Sequence, residues 1–173
     1  MKDVLITGGT GSFGRAMVRR LIETTPSTGP ETPRIIVYSR DELKQANMAV
    51  EFGATDRKRL RFFLGDVRDL PRLRRAFDGV DVVIHAAALK RIEVGAYNPS
   101  EMVKTNVLGT MNVIEAAQDT TVTKVIALSS DKAYQPVSPY GCSKAMAEAL
   151  FLAANNTRGK YGPRYACVRY GNV

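Results

Sequence analysis

Two short segments in the C-terminal part of the chain carry side chains suited to acid–base chemistry. Ser130, Asp131 and Lys132 are consecutive, and Tyr140 and Lys144 follow at a spacing of four residues. Residues four apart on a helix share a face, so the lysine can lie beside the tyrosine. A neighbouring cation favours the phenolate and lowers the tyrosine pKa, which would make Tyr140 a usable acid or base near neutral pH. The Ser130 hydroxyl can hydrogen-bond a substrate oxygen.

A second chemical signature lies near the N-terminus, where glycines recur at two fixed spacings, G-x-G-x-x-G and G-x-x-G-x-x-G. Glycine allows positive φ and a close approach of a ligand to the backbone. A following helix points free N–H groups and its positive dipole end at the same space. The alternative is a tight turn between a strand and a helix. The spacing predicts a pyrophosphate site in a dinucleotide-binding unit, with contacts from Gly8, Thr10, Gly11, Ser12, Phe13 and Gly14.

Apolar runs and amphipathic segments alternate along the whole chain. Continuous apolar runs, as at positions 34–38 and 81–85, are typical of a parallel sheet covered on both faces. The sequence therefore predicts an α/β fold with a doubly wound parallel sheet of the Rossmann type. We expect strands at 4–7, 34–38, 60–64, 81–85, 124–130 and 165–169, and helices at 13–22, 41–52, 69–77, 99–117 and 139–154.

In such a sheet, ligands bind beyond the carboxyl ends of the strands. Ser39, Arg40, Asp41 and Lys44 follow the second predicted strand. An NAD enzyme usually places an acid first at this point, to hold the ribose 2′-hydroxyl. A serine and an arginine suit the 2′-phosphate of NADP instead, so we predict NADP. The alternative is an exposed helix start, because Asp41 also suits a first helical turn.

The next two strand ends offer further candidates. Asp66 and Val67 follow the third strand and can meet the adenine edge, although a turn or a helix cap is the alternative for them. Ala87 and its neighbouring alanines follow the fourth strand and leave room for a cofactor against the backbone. His85 is the one histidine of the chain. It ends an apolar strand, so we interpret it as structural.

Composition limits the classes of partner. The chain has 173 residues, which suits one domain, and a net charge of +8. Its basic residues, as at 57–59 and 72–75, are dispersed without interleaved aromatics, so we expect solvated faces and no nucleic-acid partner. No apolar run approaches the ~20 residues that cross a bilayer, and no signal peptide is recognisable; a cytoplasmic protein without membrane contact is expected. Cys142 and Cys167 show no metal-ligand spacing, so no metal site is expected.

Together these residues resemble the extended short-chain dehydrogenase/reductase superfamily, whose pattern the segment 106–113 also matches. Within it, the chain resembles the inverting UDP-N-acetylglucosamine 4,6-dehydratases of polysaccharide biosynthesis and flagellin glycosylation. The matching segments cover nearly the whole chain: TGGTGSFG, YSRDELKQ, FFLGDVRD, HAAALK, YNPSEMVKTN, ALSSDKA and VRYGNV.

The resemblance implies NADP as cofactor and a catalytic pair formed by Asp131 and Lys132, where related 4,6-dehydratases have Asp-Glu. It implies that Tyr140, assisted by Lys144, helps to remove the C4 hydroxyl proton as NADP+ oxidises C4. Lys132 then takes the C5 proton, Asp131 helps water to leave from C6, and hydride returns to C6 with inversion at C5. The alternative for the pair is a solvated turn.

The resemblance also implies a UDP-sugar substrate, substrate contacts from Lys90 and Asn172, and a homo-oligomer for the full-length protein. Arg91 and Tyr134 depart from the family pattern, so the exact sugar is open. In the family a C-terminal substrate-binding portion follows, so we expect residues 1–173 to be the NADP-binding domain of a longer enzyme. A related nucleotide-sugar epimerase or oxidoreductase is one alternative, and a non-catalytic NADP-binding module is the other.

Overall fold

Six parallel strands form one sheet in the computed structural model, which describes residues 3–25, 29, 32–53 and 58–171. The strands are β1 (Val4–Thr7), β2 (Ile35–Ser39), β3 (Leu60–Leu64), β4 (Val82–His85), β5 (Lys124–Leu128) and β6 (Arg164–Val168). Their order is β3-β2-β1-β4-β5-β6, with every pairing parallel. The winding reverses between β1 and β4, and a crevice opens at such a point. The predicted Rossmann-type fold is confirmed.

Helices connect the strands across both faces of the sheet. They are α1 (Ser12–Thr24), α2 (Glu42–Glu51), α3 (Leu70–Phe77), α4 (Ile92–Tyr97), α5 (Pro99–Met102), α6 (Gly109–Gln118) and α7 (Pro139–Thr157). The side chains of Asp41, Asp69 and Ser138 accept a backbone N–H at the starts of α2, α3 and α7. These caps satisfy donors that a helix leaves free at its N-terminus.

Alternate side chains of the central strands pack into two separate hydrophobic cores. Leu5 and Ile36 belong to the core that also contains Phe77, Val113 and Phe151 from α3, α6 and α7. The neighbouring side chains Ile6, Ile35 and Val37 pack with Val18 and Met48 from α1 and α2. Both faces of the strands are therefore covered, which is why their sequences are continuous apolar runs rather than alternating ones.

The helix predicted at 99–117 is not regular. A π-helical segment, Val103–Leu108, separates α5 from α6. Two adjacent residues of this segment, Thr105 and Asn106, are buried. Single π-helical turns inside α-helices are frequent at functional sites.

Three further predictions need correction. β5 ends at Leu128 rather than at residue 130, because the Ser130 hydroxyl accepts the Lys132 N–H and starts a 3₁₀ turn, Asp131–Ala133. The short helix α4 was not predicted; its Gly95 packs so tightly on Met102 that a Cβ there would overlap the Met102 side chain. Arg59 does not lie on a solvated face. It is buried and donates to the Ile22 and Thr25 carbonyls.

Candidate functional site

A cleft of about 1110 Å³ lies beyond the carboxyl ends of β1, β2 and β4. The glycine-loop residues and those after β2, β3 and β4 that the sequence singles out all line it: Gly8, Thr10, Gly11, Ser12, Phe13, Gly14, Ser39, Arg40, Asp41, Lys44, Asp66, Val67, Ala87 and Lys90. The topology brings these side chains together because parallel strands present their carboxyl ends at one edge of the sheet.

Backbone packing makes glycine necessary in the loop after β1. Gly8 has a φ of +67°, and a Cβ there would lie 2.8 Å from the Ala87 backbone. A Cβ on Gly14 would overlap the backbone of Gly9, so α1 can approach the loop this closely only with glycine at position 14. Gly11 donates to the Gly8 carbonyl and is the N-cap of α1. The start of α1 therefore faces the cleft without a side chain in between.

Polar groups after β2 surround a different part of the cleft. Arg40 is half-exposed and its Nη1 lies 3.5 Å from Asp66 Oδ2. Asp41 caps α2 and pairs with Lys44 Nζ at 3.1 Å. Hydrogen bonds from the Lys44 backbone and side chain hold the pKa of Asp41 below its usual value. Asp41 thus has the structural role that was its alternative interpretation, while Arg40 and Lys44 present cations to the cleft.

His85 links the ends of two strands. Its Nδ1 lies 2.8 Å from the Thr7 hydroxyl, which also accepts the Ala87 N–H at 3.3 Å. Burial, with the charge of Lys144, lowers the pKa of His85 to about 3. The imidazole is therefore neutral, and it shares one hydrogen bond with the Thr7 hydroxyl. This geometry supports the structural interpretation of His85.

The acid–base candidates adjoin the cleft rather than line it. Lys132 Nζ donates to both Asp131 oxygens at 3.1 and 3.2 Å, and Ser130 Oγ donates to Asp131 Oδ1 at 2.9 Å. The hydrogen bonds from Ser130 and then Lys132 lower the pKa of Asp131. Asp131 N donates to the carbonyl of Tyr170, a residue of the cleft wall. The 3₁₀ turn is thus bonded directly to the cleft.

Tyr140 and Lys144 share a buried face of α7, as their spacing predicts, but their electrostatics differ from the prediction. Lys144 Nζ donates to the Leu128 carbonyl. Burial raises the pKa of Tyr140, partly offset by a hydrogen bond with Ser130. The charges that act on Tyr140 come from Tyr170, Lys132 and Asp131. In this state the tyrosine is the protonated form, and the expected lowering of its pKa by Lys144 is absent.

The burial of the Lys144 amine should be measurable in the pH dependence of the free energy of unfolding. Burial lowers its pKa from 10.5 to about 8, so between these pH values the unfolded chain binds more protons than the folded chain. The free energy of unfolding should therefore rise with pH across this window, by about 3 kcal/mol from Lys144 alone. Urea titrations at pH 7.5 and 10 give this change in the free energy of unfolding for the wild type and for Lys144→Met. The difference between the two proteins is the contribution of Lys144. An identical pH dependence in the two proteins would contradict the burial of the charge.

Sequence reasoning missed two residues of the π-helical segment. Asn106 accepts the Leu89 N–H at 2.8 Å and donates to the Leu89 carbonyl and to Ser143 Oγ, each at 2.9 Å. It thereby ties the loop that carries Lys90 to α7. Thr105 lines the cleft, and its buried hydroxyl has no hydrogen-bond partner among the described residues. The only sequence signal for them was the segment 106–113, which matches the superfamily pattern: Asn106 is its first residue and Thr105 precedes it. Asn172, an expected substrate contact, lies outside the described residues.

Among the described residues, histidine, cysteine, aspartate and glutamate side chains form no group of three or more that could hold a metal. None of the helices in that part of the chain is long and apolar enough to cross a membrane.

A Rossmann sheet with a glycine loop at its winding reversal, and a Tyr-x-x-x-Lys helix beside it, defines the short-chain dehydrogenase/reductase type of domain. Residues 4–173 match the family described as polysaccharide biosynthesis protein, and the chain belongs to that family. The similarity to the inverting dehydratases within it is confirmed by the curated relatives.

The chain is 49% identical over 172 residues to UDP-N-acetylglucosamine 4,6-dehydratase (inverting) of Campylobacter jejuni, covering 99% of the chain and 49% of that protein. It is 44% identical over 173 residues to UDP-glucose 4-epimerase of Rickettsia rickettsii, covering 99% and 49%. The chain thus spans about half the length of the curated relatives it matches.

Solved structures agree with the fold. Pen from Bacillus thuringiensis superposes with a TM-score of 0.92 at 38% identity, covering 99% of this chain and 52% of that one. DesIV, a dTDP-glucose 4,6-dehydratase of Streptomyces venezuelae with NAD and TYD bound, superposes with a TM-score of 0.80 at 29% identity, covering 96% and 55%. The DesIV structure thus holds NAD in the same type of fold.

Proposed function

We propose that this chain is the cofactor-binding domain of a nucleotide-sugar 4,6-dehydratase that acts in the cytoplasm on UDP-N-acetylglucosamine with inversion at C5. The observation that carries the proposal is that the cleft and the acid–base residues lie along the same edge of the sheet. There the glycine loop and Arg40 line a cleft whose wall, at Tyr170, is bonded to Asp131 next to Lys132. The 49% identity to the inverting dehydratase of Campylobacter jejuni supports it.

The cleft fits a dinucleotide. The close packing at Gly8 and Gly14 brings the first turn of α1 to the cleft. The first N–H groups of a helix have no partner within the helix, so they can bind a pyrophosphate. Val67 lines the cleft beside Asp66 and offers an apolar surface to the adenine. The unpartnered Thr105 hydroxyl offers a buried polar group to the ligand. We infer NADP rather than NAD because Arg40 and Lys44 bring two cations to the place where a 2′-phosphate would sit.

Cofactor selection gives a direct prediction. Arg40→Asp replaces the cation by an acid that repels the 2′-phosphate and can accept the ribose hydroxyls of NAD. We expect the affinity for NADP to fall at least tenfold and the preference for NADP to narrow or reverse. Calorimetric titration of the full-length protein with both cofactors measures this, with Arg75→Asp, at an exposed position of α3 away from the cleft, as the control. Equal affinity of the wild type for NAD and NADP would refute the assignment.

Bound NADP+ would supply the hydride acceptor for C4, and its reduced form would supply the hydride for C6. Tyr140, held by its hydrogen bond with Ser130, takes the proton of the C4 hydroxyl as the phenolate, so it must first release its own proton. Lys132 is the cation that favours the phenolate in this structure. Lys144, on the same helix face, can assist only when its amine leaves the Leu128 carbonyl.

The neutral Lys132 amine takes the C5 proton, and Asp131 donates a proton to the leaving C6 hydroxyl. When hydride is added to C6, C5 takes a proton from solvent on the opposite face, which inverts it. Because the two are ion-paired in the structure, substrate binding must separate the pair and transfer a proton from the lysine to the carboxylate.

The remaining assignments complete this proposal. Residues 1–173 form the cofactor domain, and the portion that follows in the relatives supplies most of the sugar and nucleotide contacts. Lys90 and Asn172 contact the substrate from this side. The full-length protein forms a homo-oligomer.

An epimerase is the second candidate, because the chain is also 44% identical to a relative named UDP-glucose 4-epimerase. The two functions differ in their products: a dehydratase product has lost one water, whereas an epimerase product has the mass of the substrate. We expect the full-length protein with UDP-N-acetylglucosamine to give the dehydrated 4-keto product by mass spectrometry. Residues 1–173 alone should bind NADP without turnover. A product of unchanged mass would favour the epimerase.

A further inference from the structure

Asp66 lies between two arginines that contact it unequally. Arg68 donates to Asp66 Oδ1 from its backbone N at 2.9 Å, and to Oδ2 from Nε at 3.0 Å and Nη2 at 2.8 Å. Arg40 reaches the same Oδ2 only with Nη1, at 3.5 Å. Arg68 therefore makes three hydrogen bonds to the Asp66 carboxylate, whereas Arg40 makes one longer contact with it.

The Arg68 fork is fixed from its other side. Its Nη1 donates to Glu101 Oε2 at 2.9 Å, and Glu101 Oε1 accepts Lys104 Nζ at 2.9 Å. Glu101 belongs to α5, so the contact joins the turn after β3 to the next helical layer. A planar guanidinium can serve two carboxylates in this way, whereas a lysine ammonium is a single point charge.

The Asp66 carboxylate competes with a bound phosphate for the Arg40 guanidinium. Asp66 and Arg40 both line the cleft, and a carboxylate that lacked other donors would draw Arg40 toward itself and away from a phosphate. Burial acts to raise the pKa of Asp66, but hydrogen bonds from Arg68 lower it, and Arg40 contributes the smallest lowering. Asp66 is therefore an anion whose charge is compensated mainly by Arg68.

We propose that Arg68 is a positioning residue for cofactor selection: by satisfying Asp66, it leaves Arg40 available to the 2′-phosphate of NADP. The inference rests on the proposed NADP site and adds a residue that does not itself line the cleft. It also explains how an acid that suits the adenine edge is tolerated beside an arginine that suits a phosphate.

The test is Arg68→Lys in the full-length protein, which keeps the charge and removes the fork. We expect the ratio of the Kd for NAD to the Kd for NADP to fall about threefold, the size of effect typical of a partly exposed ion pair. The ratio cancels changes at the adenine, which both cofactors share. In an Asp66→Asn background the competitor is gone, so the same replacement should leave the ratio unchanged.

Arg74→Lys is the matched control, because Arg74 also donates to two acids, Glu115 and Asp119, at 2.7 Å each. It should leave the ratio at the wild-type value. If Arg68→Lys leaves the ratio of the two Kd values unchanged, this inference is wrong and the NADP site still stands. The same holds if the ratio falls equally in the wild-type and the Asp66→Asn backgrounds. A wild type without preference for NADP overturns the proposed cofactor instead.

Discussion

Lys132→Met in the full-length protein should abolish the entry of solvent deuterium at C5 of the sugar while NADP still binds. In the proposed mechanism the neutral Lys132 amine accepts that proton, and methionine has similar length without a basic atom. A positioned general base contributes about 10²–10⁴-fold to rate, so exchange should fall at least about a hundredfold. Mass spectrometry or NMR of substrate recovered from deuterium oxide measures it.

Oxidation at C4 should survive in this variant because Tyr140 and Lys144 are retained. Reduced cofactor should then appear on addition of substrate, visible by its absorbance. Lys160→Met, which removes an exposed lysine beside Tyr161, is the control and should exchange normally. Normal C5 exchange in Lys132→Met would remove Lys132 from the mechanism, and with it the main chemical argument for inversion at C5.

Gly14→Ala should destabilise the fold and weaken cofactor binding together. The added Cβ would overlap the Gly9 backbone, and α1 must move away from the loop to make room. Overpacking of this kind costs about 1–3 kcal/mol, and the displaced helix start no longer presents its N–H groups to the pyrophosphate. Urea denaturation measures the first effect and titration with NADP the second.

Gly159 is the matched control for this substitution. A Cβ there meets no atom within 4 Å and its φ is not positive, so Gly159→Ala should change the free energy of unfolding by less than about 0.5 kcal/mol. Wild-type stability in Gly14→Ala would show that the loop and the helix are not packed as described.

The parts of this molecule that sequence reasoning predicts depend on local patterns. The strand positions follow from apolar runs, and the cap at Ser138 follows from a serine before Pro139. Because parallel strands end at one edge, the sequence alone assigns the residues after β1, β2, β3 and β4 to one cleft. Gly8 and Gly14 were predictable because no other residue fits their backbone surroundings.

The parts that could not be predicted depend on contacts between distant residues. Lys144 was expected beside the Tyr140 hydroxyl, yet its amine bonds a carbonyl sixteen residues earlier, at Leu128. Arg59 was expected in water, yet the end of α1 and the residue after it accept its guanidinium. Spacing along one helix or charge along one segment carries no information about such partners.

The strand order has a consequence for how the chain is made. The half-sheet β3-β2-β1 is complete once residue 64 has been synthesised. Each later strand then adds to the edge left by an earlier one: β4 to β1, β5 to β4 and β6 to β5. No finished pairing has to open for the next strand to dock. The sheet can therefore assemble in the direction of translation, and the cleft residues that follow β1, β2, β3 and β4 can be in place before α7 is synthesised.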